Sequence, residues 1–173
     1  YIDLEKLYTK KKPSKENIKK LYERNKNIFF VEFKSIQYAA ITPNLISGSA
    51  DYNESFFKQL DLIENQILDG QSFEEATKAN NLKITKINKV NAKKEDQSKN
   101  KINNIPNDLF DKIYNIKSTK IPEIINLAGK YYLAEIRNIE KTNKPMSDPE
   151  VLEALNAQLS FKNKIENNTS IAK

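Results

Sequence analysis

From Phe56 to Val90 the apolar and polar positions fall into successive rhythms. Phe56, Leu60, Ile63 and Ile67 recur at spacings of four, three and four, which predicts a helix with a single apolar stripe. Gly70 follows the last turn, where glycine most easily takes the left-handed conformation that ends a helix. Ser72 and Glu75 form an S-x-x-E capping box that opens a second, short helix, with Phe73 and Ala76 on its inner face. After Asn80 and Asn81 the rhythm becomes Leu82-x-Ile84, the alternation of a half-buried strand that carries on to Val90. A helix pair closing into a strand needs a sheet to lie against.

The flanking sequence predicts that sheet. Leu4, Leu7 and Tyr8 suggest a helix over residues 2–10, and Pro13 interrupts it. Ser14 and Asn17 restart a helix through about Asn25, with Ile18, Leu21 and Tyr22 inward. IFFVEFKSIQYAAI, residues 28–41, is rich in aromatic and β-branched residues and reads as a long strand. Phe29, Val31 and Phe33 share one parity and Ile36, Tyr38 and Ala40 the other, so a bulge is expected near Lys34 and Ser35. Thr42-Pro43-Asn44 ends the strand, and residues 46–53 read as a connection. NAKKEDQSKNKINN (91–104) lacks periodicity and reads as a long exposed loop. Pro106 opens a helix with Leu109, Phe110 and Ile113 inward. Residues 121–127 and 130–139 then form a hairpin about Ala128-Gly129. After a linker at 141–145, Ser147 and Glu150 predict a second capping box. The helix it opens carries Leu152, Leu155, Leu159 and Phe161 to about Glu166, before a fraying tail.

The expected fold class is α+β: a four-stranded, mostly antiparallel sheet with surrounding helices. The expected divisions are an N-terminal helical segment (1–27), a central domain (28–140) and a C-terminal helix (146–167) that packs with the N-terminal helices as a helical lobe. The apolar groove of such a lobe, with lysines at its rim, suits unfolded polypeptide.

Composition narrows the chemistry. The net charge of +6 and pI of 9.2 raise the question of nucleic acid. The lysines are scattered among asparagines and isoleucines, and Arg24 and Arg137 are the only arginines, so no nucleic-acid partner is expected. With no cysteine and no histidine, the usual nucleophilic triads, thiolate sites and most zinc sites are excluded, and no metal or cofactor is expected. Three glycines leave no material for a phosphate-cradling loop. Glu74-Glu75 and Glu95-Asp96 are adjacent carboxylates, whose side chains point apart on a helix or lie in the polar loop. Asn53-Glu54-Ser55 and Asn167-Asn168-Thr169 match the glycosylation pattern, as chance allows in so asparagine-rich a chain. No apolar run approaches a membrane span of about 18–20 residues. A chain that starts at Tyr1, with Met146 as its only methionine, reads as a fragment of a longer protein.

The succession of elements resembles a parvulin-type peptidyl-prolyl isomerase domain flanked by helices, as in the SurA/PpiD class of bacterial periplasmic folding factors. Three segments carry the resemblance: KENIKKLYERNKNIFFVEFKSIQYAAI, ILDGQSFEEATKANNL and IPNDLFDKIYNIKSTKIPEIINLAGKYYLAEI. Together they cover roughly residues 14–165. The family places one histidine on its first strand and another on its last. Here those positions fall at Gln37 or Tyr38 and at Tyr132. The family's proline shelf falls near Ile105 and Leu109, beside Phe110, and its GGDLG stretch has no counterpart between Leu82 and Asn104.

The resemblance implies a folding factor of the bacterial periplasm, with unfolded or proline-containing polypeptides as partners and a parent that has room for an inner-membrane anchor before Tyr1. Gln37, Tyr38 and Tyr132 are the catalytic candidates, and Ile105, Leu109 and Phe110 the substrate-binding ones. The vacant histidine positions imply weak or no isomerase activity. Prolyl isomerisation asks only that the twisted amide be bound better than the planar one, against a barrier of roughly 18–20 kcal/mol. An active isomerase with a rebuilt pocket therefore stays open. So does a structural module that self-associates through its terminal helices.

Overall fold

The computed structural model describes residues 13–171, with side chains through Glu166; the helix expected over residues 2–10 lies outside them. The chain is α+β, with a four-stranded antiparallel sheet of order β2-β1-β4-β3. It divides into two compact units, Glu32–Lys141 and the segments that flank it, up to Val31 and from Thr142.

In the larger unit, β1 (Phe30–Ile41) leads through a short helix α2 (Pro43–Ile46) to α3 (Glu54–Leu68) and α4 (Phe73–Ala79). Helix α2 begins where Thr42-Pro43-Asn44 ends the strand, because Pro43 fixes its first helical φ, and the rest of the connection read over residues 46–53 follows it. The predicted stripe buries Phe56, Leu60 and Ile63. Gly70, at φ +99°, ends α3 as expected: its N–H donates to the Ile67 carbonyl and that of Gln71 to Gln66, both at 2.9 Å. The Ser72–Glu75 capping box is complete.

The next strand differs from its reading. β2 (Ile84–Val90) excludes Leu82, and its buried residues are Ile87 and Val90, while Ile84 is exposed. Lys34 pairs with Val90 and Ile36 with Ile87, so two steps along β1 oppose three along β2. The expected bulge is present opposite Ser35, but its extra residue is on β2, where Lys89 has φ +49° and donates its N–H to Ser35 Oγ. Helix α5 (Asn107–Tyr114) and the hairpin of β3 (Glu123–Leu127) and β4 (Lys130–Asn143) complete the unit. Ala128 and Gly129, at φ +50° and +80°, make the tight turn, and β4 runs on to Asn143, into the segment read as a linker.

The parities of β1 that looked contradictory have a simple cause: both faces of the sheet are buried. Ile36 and Tyr38, with Ala134 and Ile136, pack against Leu109 and Phe110 of α5. Ala39, Ile41 and Leu133 pack on the opposite face with Phe56 and Phe73 of α3 and α4. Ala40, expected inward, is exposed.

In the smaller unit α1 (Lys15–Asn25) is capped by Ser14 as predicted, and a 3-10 turn, Lys26–Ile28, follows it. Helix α1 packs with α6 (Pro149–Ile171). Tyr22 stacks on Phe29 at 6.4 Å and donates its hydroxyl to the Lys144 carbonyl. The predicted Ser147–Glu150 box is replaced. Asp148 Oδ1 accepts the Glu150 N–H at 3.0 Å, so Asp148 is the cap, and the Glu150 carboxylate pairs with Lys144. Among the described side chains of α6, Val151 and Leu155 are the buried ones, while Phe161, expected inward, is 66% exposed.

Candidate functional site

The candidate residues divide between the two faces of the sheet, because adjacent strand positions point in opposite directions. Tyr38 of β1 and Tyr132 of β4 lie on the α5 face, in or against the same cluster as Ile105, Leu109 and Phe110. Gln37 belongs to the other face.

On the α5 face, the Tyr38 hydroxyl points to the Asn104 carbonyl at 3.4 Å. Burial raises the pKa of its phenol; the Thr85 side chain opposes the rise and the nearby Tyr132 adds to it. Tyr38 is therefore a neutral hydrogen-bond donor at neutral pH, unsuited to act as a base. Ile105, Leu109 and Phe110 are only 2%, 1% and 1% exposed. Their apolar surface is spent on β1 and β4, and a proline ring could reach it only if the side chains above them moved.

The segment 91–104 holds this arrangement in place and is more ordered than its polarity suggests. Asn91 Oδ1 accepts the N–H groups of Lys93 and Glu95, and Asp96 Oδ1 those of Ser98 and Asn100. Lys94 Nζ donates to the Ile105 carbonyl at 2.7 Å and to Asn107 Oδ1 at 2.8 Å. It also lies 5.7 Å from the centre of the Phe110 ring.

On the opposite face, Gln37 is fully buried and its amide joins two carboxylates. Nε2 donates to Glu74 Oε1 and to Glu135 Oε1, each at 3.0 Å, while Gln37 Oε1 is buried with no partner. Glu135 is itself buried, and its pKa is raised, first by desolvation and then by the charge of Glu74. The Gln37 hydrogen bond, Arg137 and Lys120 pull the other way. Sequence reasoning missed this cluster, although a glutamate between Ala134 and Ile136, in a strand apolar at both parities, was a signal for a buried acid.

A consequence can be measured. A carboxyl that holds its proton more tightly when folded contributes stability that is complete below its unfolded pKa and lost as pH rises through the folded value. Glu135→Gln keeps the acceptor for Gln37 and removes the titration. Chemical denaturation across pH should show a smaller fall in stability from acid towards neutral pH in the variant than in the parent. Parallel curves for the two proteins would contradict the assignment.

Among the described residues no group of three or more acidic side chains is placed to hold a metal ion. In the smaller unit, Leu21, Leu159, Phe161 and Ile165 line an apolar groove of about 420 Å³, with Gln158 and Lys162 beside them.

No family model matches the chain, and neither does any curated protein sequence. Among solved structures it is similar to a chain from work on PEB4 and the periplasmic protein Cj1289, described as two structurally related SurA-like chaperones of Campylobacter jejuni. The identity is 13% and the TM-score 0.30, over 93% of this chain and 61% of the other. The chain thus spans less than two thirds of the length of the structure it matches.

Proposed function

We propose that the chain is a parvulin-like folding-factor module of the bacterial envelope that binds unfolded or proline-containing polypeptide, with weak or no isomerase activity. The observation that carries the binding reading is the groove on the α1 and α6 unit, where Leu21, Leu159 and Phe161 present apolar surface beside Lys162. Such a surface accepts short apolar stretches of many sequences, and Lys162 and Glu166, paired at 3.6 Å beside it, give its rim little charge preference. The burial of Ile105, Leu109 and Phe110 supports the weak-isomerase reading, because a shelf must be open to hold a proline ring. Periplasmic residence, in a parent with room for an inner-membrane anchor, is what the resemblance implies. No helix among the described residues is long and apolar enough to cross a membrane.

One observation favours the second reading, an isomerase with a rebuilt pocket: Tyr38 and Tyr132 are neighbours on one sheet face, at the positions where the family has histidines. Exchange NMR on a short proline peptide separates the two. Shifted peptide resonances with an unchanged cis–trans rate are expected. Faster exchange at substoichiometric protein would establish an isomerase and make Tyr38 and Tyr132 the residues to mutate. Self-association through the terminal helices, with no effect on the peptide or on aggregation of an unfolded client, would instead favour a structural module.

A further inference from the structure

The two edges of the sheet are built differently. At one edge β2 carries Lys86 and Lys89, and the bulge with Lys89 at φ +49° breaks its regularity. Lysines and bulges on an outer strand hinder the addition of another strand. At the other edge β3 pairs with β4 in unbroken register from Glu123 opposite Ala134 to Leu127 opposite Lys130, with no lysine.

The two-residue turn fixes which backbone groups of β3 face outward. Leu127 and Lys130 close the hairpin as a hydrogen-bonded pair, so Ile125–Tyr132 and Glu123–Ala134 are hydrogen-bonded pairs and Ile124–Leu133 and Asn126–Tyr131 are not. The N–H and C=O of Ile124 and Asn126 therefore point away from β4, and among the described residues no strand lies beyond them. Pro122 and the turn mark the ends of this row.

Helix layers contact β3 from both sides, α3 on one face and α5 on the other. Next to them apolar surface is left open. Tyr52 and Phe57 are 44% and 40% exposed, each 6.0 Å from the Tyr131 ring, and Ile121, just before β3, is 54% exposed.

We propose that the outer edge of β3 docks an extended segment of another polypeptide by strand addition. The inference goes beyond the groove reading above by adding a second surface, and rests on it only for the class of partner, unfolded polypeptide. The backbone row supplies hydrogen bonds that any sequence can satisfy, and alternate client side chains meet apolar surface on either face. Glu123 is the one charge on β3, so a basic residue opposite it is favoured.

The test uses the whole chain and a synthetic peptide of alternating valine and threonine with one lysine. At saturating peptide, the Ile124 and Asn126 amides should exchange about tenfold more slowly while the β2 amides are unchanged. Asn126→Pro removes an outward N–H without removing a bond to β4, and should weaken peptide affinity about tenfold. Asn126→Ala is the matched control. It loses the side-chain bonds to Gly129 and Tyr131 but keeps the N–H, and should bind like the parent. Peptide binding with Ile124 and Asn126 unprotected, or no binding of this peptide at all, overturns the edge inference, whereas the groove reading stands or falls with the proline peptide. Protection that grows with protein concentration in the absence of peptide identifies a second copy of the chain as the occupant, and also overturns the edge inference.

Discussion

Alanine at position 109 is expected to lower the stability of the protein by about 2–5 kcal/mol, the range for a leucine truncated in a closed core. Leu109 is 1% exposed and packs among Ile36, Tyr38, Phe110 and Ile113, so the lost atoms leave a void that the sheet and α5 cannot fully close. The effect is a large part of a typical total of about 5–15 kcal/mol. Urea unfolding measures it, with Leu62→Ala on the exposed side of α3 as a control expected within about 0.5 kcal/mol of the parent. The same variant discriminates between the two roles proposed for the residue. A shelf residue would lose peptide binding and leave the unfolding midpoint in place. A core residue does the reverse, and the burial predicts the reverse.

That one residue can be read as shelf or as core shows what the sequence conveys. Periodicity placed Leu109, Phe110 and Ile113 on one face of a helix, and the structure puts all three inside. Local chemistry was equally legible. The Ser72–Glu75 box, the Gly70 stop and the Ala128-Gly129 turn each depend on backbone groups within a few residues, so a short window contains the whole cause.

What the window could not contain came from elsewhere in the chain. The second buried face of β1 depends on α3 and α4 covering the side that a single-sided reading leaves to solvent, which is why Ala39 is buried. Asp148 displaces Ser147 as the cap of α6 because Glu150 turns to Lys144, a partner outside the S-x-x-E pattern. The candidate site suffered most. Gln37 and Tyr38 were interchangeable as neighbours in sequence, yet strand geometry sends one to the carboxylates Glu74 and Glu135 and the other towards Tyr132.

Lys34 gives the second large expectation. Its side chain is buried, and Nζ donates to the Tyr114 carbonyl at 2.7 Å and to the Ile116 carbonyl at 3.4 Å. It lies 4.7 Å from the centre of the Tyr114 ring and 3.7 Å from the Glu32 carboxylate. The Tyr114 carbonyl ends α5 and that of Ile116 lies two residues beyond, where the helix has run out of its own donors and the macrodipole favours a cation. Lys34→Met preserves most of the volume and removes the charge, leaving the carbonyls unpaired away from water. A loss of about 2–4 kcal/mol is expected, from charge-assisted hydrogen bonds and the helix-end interaction together. Glu32→Gln, which removes only the more distant and partly exposed partner, should cost less than about 1 kcal/mol. Because α5 carries Leu109 and Phe110 against Tyr38, release of its C-terminal end should also speed hydrogen exchange at the α5 amides more than in α3. If Lys34→Met unfolds at the parent's denaturant midpoint, the ammonium is not what secures α5, and the order of the candidate site must come from the apolar contacts of Leu109, Phe110 and Ile113 alone.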